Sequence, residues 1–265
     1  MGLLDGKVAL VFGLANKNSI AWGIIQRLQQ EGAQIAISYA SEVLEKRVFP
    51  LAEQIGCDFV EKCDVTNDDE LDAVFEKVKA KYGKVDILVH AVAFAERSDL
   101  GGRFTDISRD GFKLALDISA YSLIAMAKRV EPLMPDGGSI LSLTYYAAEK
   151  VMPAYNVMAV AKSALETITR YLAYDMGPSN IRVNSISAGP IKTLSAAGVP
   201  GLRTFLKYTE MTAPLGKLVS QEDIGDTAVW LASDWSKLIT GEVIHVDAGY
   251  NILGLTASRD ELNLE

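Results

Sequence analysis

The stretch "KVALVFGLANKNSIAWGIIQRLQQ", residues 7–30, contains a β-rich run, a turn at Gly13, and a helical pattern that opens at Ser19 and Ile20. A strand that passes through a glycine turn into a helix is the opening unit of a layered α/β chain, and the segments beyond it repeat that alternation. Further β-rich runs lie at 34–39, 58–62, 86–91, 139–144, 181–187 and 242–246, and helical periodicity occupies 19–31, 43–55, 67–82, 109–130, 153–177 and 220–233. Strands alternating with helices join through right-handed crossovers. The expected fold is a doubly wound parallel sheet with helices on both faces, forming a single domain over residues 1–265. Nucleotide ligands of such sheets sit at the carboxyl ends of the strands.

Composition narrows the function. With 265 residues, 49% of them hydrophobic, the chain can bury one large core. A net charge of −8 argues against a nucleic-acid partner, since displacing phosphate counterions needs concentrated positive surface. Cys57 and Cys63 lack CxxC spacing and read as reduced, half-buried residues. His90 and His245 stand far apart, without a cluster, and read as interior or strand-end histidines, so no metal site is expected. "MGLLDGKVALVF" shows neither a basic leader nor a cleavage site, and no apolar run reaches the roughly eighteen residues of a membrane span. A cytoplasmic protein with no membrane partner is expected. The least regular stretch, 188–213, reads as a mobile lid at about 190–213, with an ordinary surface loop and short helix as the alternative.

The loop "GLANKNSIAWG" (13–23) lacks the G-x-G-x-x-G fingerprint, yet keeps its physics. Ser19 can cap the helix at Ile20 and offer its hydroxyl and N–H to a pyrophosphate, where the helix dipole favours negative charge. Gly23 would let that helix close on the sheet. A turn and cap with no ligand explains this loop nearly as well, but two later strand ends add to it. "CDVTND" (63–68) places Asp64 at an adenine's edge and Val65 over its face, and "VHAVAFA" (89–95) ends a strand in small residues, Val92 among them, that let backbone approach a ribose. Three such features in order describe a Rossmann-like dinucleotide site. The second strand ends in Tyr39, Ala40 and Ser41, with no arginine for a 2′-phosphate, so NADH is expected over NADPH. Lys46 and Arg47 are expected to face solvent.

"YNVMAVAK" (155–162) sets Tyr155 seven residues before Lys162. In an α-helix that separation turns through about 700° and rises about 10.5 Å, returning both side chains to one face. The chain resembles the short-chain dehydrogenase/reductase superfamily over nearly its whole length, "TGEVIHVDAGY" (240–250) included, and within it the NADH-using enoyl-acyl carrier protein reductases of bacterial fatty-acid synthesis. The resemblance rests on "GLANKNSIAWG", "CDV", "TYYAAEKVMPAYNVMAVAK" (144–162), "ISAGPIKTLSA" (186–196) and "GDTAVWLASD" (225–234). Carbonyl-reducing relatives carry tyrosine four before the lysine and serine thirteen before that tyrosine, where this chain has Met158 and Tyr145. Anchoring on Tyr155 instead brings Ser142 into the serine slot but leaves the lysine three residues out of place, so that register is rejected.

The resemblance implies reduction of a carbon–carbon double bond conjugated to a thioester. Hydride adds at the β-carbon, charge develops on the thioester oxygen, and a phenol aimed there stabilises the enolate. It assigns that phenol to Tyr155, the nicotinamide ribose to Lys162, and the pocket beside the nicotinamide to Tyr145. Ile191 and Thr193 match the segment holding the carboxamide and pyrophosphate. Ala95, Ala196, Leu202 and Phe205 become candidates for the acyl site, with Tyr145 and Tyr155; core packing is the plainer reading of each apolar one. The implied partners are acyl carrier protein and three further copies in a homotetramer; Arg203 and Lys207, four apart in the lid, are either a meeting point for the acidic carrier or a solvated basic face. Ala91, Ala159 and Glu96 depart from the family pattern, which touches chain-length preference rather than the reaction. Two rivals are a related reductase acting on another activated alkene or carbonyl, and a non-catalytic NAD(H) sensor.

Overall fold

The computed structural model describes residues 2–193, 196 and 201–255. Seven strands form one parallel sheet: β1 (Val8–Phe12), β2 (Gln34–Tyr39), β3 (Val60–Lys62), β4 (Ile87–His90), β5 (Gly138–Thr144), β6 (Ile181–Ala188) and β7 (Val243–Val246), in the order β3-β2-β1-β4-β5-β6-β7. Each falls on a run expected from the sequence. The order reverses between β1 and β4, which opens a crevice at their carboxyl ends.

All five residues of β1 are buried because alternate side chains enter two cores. Ala9 and Val11 join the core beneath α1 (Ile20–Gln30), α2 (Glu45–Gln54) and α8 (Gln221–Ala232). Leu10 and Phe12 join the opposite one, beneath α3 (Asp68–Tyr82), α5 (Ser122–Val130) and α6 (Asn156–Met176). The doubly wound architecture with helices on both faces is thus present. No helix among the described residues is long and apolar enough to cross a membrane.

Three local expectations need correction. Residues 109–130 are not one regular helix: α4 (Arg109–Leu116) passes through a π-turn at Asp117–Tyr121 before α5. Gly23 does not bring α1 onto the sheet; a β-carbon there would meet the backbone of Gln221, and one on Gly225 would meet the Gly23 carbonyl, so the two glycines set the crossing of α1 and α8. The helix expected at 153–177 begins at Asn156, after Ala154 in the left-handed region at φ 60°. Within the irregular stretch, α7 spans Leu202–Thr212, while residues 194, 195 and 197–200 of the expected lid lie outside the described residues.

Candidate active site

Tyr145 follows β5 directly, and Tyr155 precedes α6 directly. Tyr155 is the helix N-cap, with φ −120° and ψ 2°, and its carbonyl accepts from the Ala159 N–H at 3.0 Å. With that non-helical backbone, helix phase alone does not aim the side chain. Packing fixes the ring instead. The Tyr145 and Tyr155 rings lie 4.9 Å apart at 63°, and Tyr155 packs with Ala95 and Leu116 around Leu100, Met158 and Ala161. Burial raises both phenols far above the ordinary range, so each remains an O–H donor at neutral pH.

Lys162, 4% exposed on α6, donates from Nζ to the Leu143 carbonyl at 2.7 Å, two residues before Tyr145. Burial brings its ammonium down to about 8, against an opposing pull from Glu166. Neither Met158, in the tyrosine slot of carbonyl-reducing relatives, nor Ser142, from the rejected register, is open to a substrate. Met158 is buried, and Ser142 is fully buried, its hydroxyl 2.6 Å from that of Ser185 and 3.4 Å from that of Thr169.

At the crevice, Gly13 has φ 100°, and a β-carbon there would run into the Ala91 carbonyl. Only glycine lets the loop after β1 lie against the loop after β4, beside Val92, and the cradle so formed fits the close approach of a dinucleotide. Ser19 is the N-cap of α1 but makes no side-chain cap bond. Its Oγ turns back to accept from the N–H groups of Ala15 and Asn16 at 3.2 and 3.1 Å, holding the loop in shape. The Trp22 N–H bonds the Ser19 carbonyl at 2.9 Å, so those of Ile20 and Ala21 are the first-turn donors toward an anion.

Asp64 is exposed beyond β3, its Oδ1 accepting from the Thr66 N–H and hydroxyl at 3.0 and 2.8 Å. Val65 is buried in the core with Phe12 and Phe75. Beyond β2 the surroundings are acidic: the Tyr39 hydroxyl donates to Glu45 at 3.0 Å, and burial, then Glu45, Glu61 and Glu42, push this phenol up to about 12. Glu42 and Glu61 are paired with Lys62 and Lys77 at 3.7 and 2.6 Å, and no arginine follows the strand directly to receive a 2′-phosphate. Lys46 and Arg47 are exposed.

Ile191 packs partly buried on the α1–α8 core, and the Thr193 hydroxyl accepts from the Ala196 N–H at 3.0 Å. Leu202 and Phe205, half-buried on α7, lie outside the cluster joining Ala95 to Tyr155. Burial, then Tyr208 of α7 and Tyr146, raise the Tyr250 phenol, and the Tyr146 and Tyr250 rings meet edge-on at 6.0 Å.

Two buried polar residues here escape sequence reading. The hydroxyl of Ser119, inside the π-turn, accepts from the Phe94 N–H at 3.0 Å and donates to the Phe94 carbonyl at 3.1 Å, which fixes the segment carrying Val92 and Ala95. Glu166 accepts from the Thr144 hydroxyl at 2.7 Å. A lone serine in an apolar helix gives no pattern; an acid four residues beyond Lys162, on the buried face of α6, is the one signal for Glu166.

A family model described as enoyl-(acyl carrier protein) reductase matches residues 13–251. The chain belongs to this family. An enoyl-[acyl-carrier-protein] reductase [NADH] of Rhizobium meliloti is 52% identical over 97% of this chain and 94% of its own. The Bacillus cereus enoyl-acyl carrier protein reductase, solved with NADP+ and an indole naphthyridinone, is 51% identical with a TM-score of 0.94, covering 96% of this chain and 100% of its own. An Anaplasma phagocytophilum family member, solved with NAD, is 43% identical with a TM-score of 0.93, covering 97% of this chain and 98% of its own. The family's fold therefore extends over the crevice, the paired tyrosines and Lys162 alike.

Proposed function

We infer that the protein uses NADH to reduce the trans-2 double bond of enoyl-acyl carrier protein thioesters in fatty-acid elongation. The observation that carries this reading is the Tyr145–Tyr155 ring pair beside buried Lys162, with Met158 in the tyrosine slot and Tyr145 in the serine slot of carbonyl-reducing relatives. NADH, when bound, supplies a hydride to the β-carbon. The chain's own residues do the rest. Tyr155 donates its O–H to the thioester oxygen, where charge develops, and its raised pKa keeps the proton in place for that bond. Lys162 holds the nicotinamide ribose with the N–H donors left over from Leu143, and its charge favours the enolate. Tyr145 closes the pocket against Tyr155. Gly13, Ser19 and Ile20 shape the pyrophosphate site, Asp64, Val65 and Val92 the adenosine side, and Ile191 and Thr193 the nicotinamide side.

The same reading makes the chain one reductase domain, with segment 190–213 as its acyl lid and Ala95, Ala196, Leu202 and Phe205 among its lining. Arg203 and Lys207, exposed one turn apart on α7, offer positive charge to acidic carrier protein. A homotetramer is supported by Tyr121 and Ile124 at α5, and by Tyr171 and Tyr174 on α6, which stand 53%, 38%, 69% and 83% exposed on adjacent elements.

The test follows NADH and NADPH oxidation in parallel with a short trans-2-enoyl thioester and a 3-ketoacyl thioester. Consumption of NADH with the enoyl substrate alone is expected. Turnover confined to the ketoacyl substrate would overturn the reaction, and NADH binding without any turnover would favour a sensor.

A further inference from the structure

Lys162 and Glu166 are four residues apart in α6, so they share a face with a rise of about 6 Å between them. Both are buried, at 4% and 7% exposure. Their heads grip consecutive residues at the end of β5: Lys162 Nζ donates to the Leu143 carbonyl, and Glu166 Oε1 accepts from the Thr144 hydroxyl, each at 2.7 Å. The next residue is Tyr145. A carboxylate in this position is costly to bury, and one hydroxyl satisfies a small part of its acceptor capacity. An apolar residue would pack α6 against β5 without that cost.

We propose that Glu166 is a positioning residue for the reduction, holding Lys162 in its protonated, cofactor-gripping form across one turn of α6 while it braces the strand end that presents Tyr145. The assignment rests on the reading of Lys162 given above. Burial draws the Lys162 ammonium down to about 8, and Glu166 is the group that opposes this. On the other side His90 is driven to about 3 by burial and then by Lys162, so it is neutral and cannot serve as a counter-ion. Around Glu166 itself stand Thr144, Glu149, Arg170 and His245; burial raises its carboxyl first, and Glu149 adds to this, while Thr144, Arg170 and His245 oppose. His245 is already engaged, its Nε2 2.8 Å from Glu149 Oε1. The buried acid thus stands one helical turn from the buried lysine.

The test compares kcat/KM for NADH across pH 6.5–8.5 in wild type, Glu166→Gln, Glu166→Asp and Thr144→Val. Gln keeps an acceptor for Thr144 and removes the charge, so the ratio of variant to wild-type kcat/KM should fall about fivefold from pH 6.5 to 8.5, as an ammonium deprived of a nearby anion loses its proton earlier. Asp and Val keep a carboxylate at 166, and their ratios to wild type should stay level even where melting temperature drops. A Gln ratio that is flat across this range would overturn the proposal, as would an equal slope for Thr144→Val. Should the Gln protein not fold, Glu166→Met supplies a second neutral side chain with the same expected slope. A wild type that fails to reduce enoyl thioesters would sink the reductase reading, an outcome distinct from an active wild type with a flat Gln ratio.

Discussion

His90 ends β4 with no exposed surface, its Nε2 2.7 Å from the Ser122 hydroxyl and its Nδ1 without a hydrogen-bond partner. Burial depresses this imidazole to about 3 in the folded protein, while an unfolded histidine titrates near 6.5. Between those values the unfolded chain binds the extra proton, so stability is lost as pH falls below about 6.5. Melting curves from pH 7 to 4 should therefore decline less steeply for His90→Gln than for wild type. Ser119 supports a second prediction. Replacing it with Ala strips the Phe94 N–H and carbonyl of their shared partner, and chemical denaturation should register a loss of about 1–3 kcal/mol. At this scale the sequence set Tyr155 and Lys162 apart by type and spacing, and the structure buries Lys162 and pairs the Tyr155 ring with Tyr145. The sequence did not announce Ser119, whose importance comes from a π-turn that no local pattern encodes.

The close crossing of α1 and α8 depends on Gly23 and Gly225, each lying against the other helix's backbone or side chains. Gly23→Ala should destabilise the protein by about 1–3 kcal/mol in urea unfolding, because the new methyl must displace the start of α8. The same shift would move Gln221, whose side-chain amide donates to the Lys17 carbonyl at 3.3 Å and also to the Ser19 carbonyl, so NADH affinity should fall as well. Elements were read with uneven success for physical reasons. Strands buried on both faces write themselves as unbroken apolar runs, which is why β1, VALVF, was plain. The start of α6 was misplaced because "VMPAY" continues an apolar rhythm, while the left-handed turn at Ala154 falls on a residue type that rarely adopts it. The departure matters: an N-cap tyrosine is aimed by its ring contacts rather than by helix phase, so its reach is set by the neighbouring Tyr145.

Across the whole molecule, the strand order puts β1 beside β4, and so gathers Gly13, Val92, Ala95, Tyr145, Tyr155 and Lys162, scattered in sequence, toward one end of the sheet. That convergence was legible in outline, since alternating strands and helices leave few topologies; the acidic rim beyond β2, made by Glu42, Glu45 and Glu61 from different segments, was not. The exposed Tyr171 and Tyr174 carry the assembly prediction: replacing both with Glu should convert a tetramer to smaller species in sedimentation, at little cost to the monomer's fold. The central claim is a division of labour between a phenol at the mouth of α6 and an ammonium within it. The most direct test measures NADH affinity and enoyl-thioester turnover together in Tyr155→Phe and Lys162→Ala. Turnover in Tyr155→Phe should fall about 10²–10³-fold with NADH affinity nearly intact, whereas Lys162→Ala should weaken NADH binding itself. Equal loss of NADH affinity in the two variants would contradict the account.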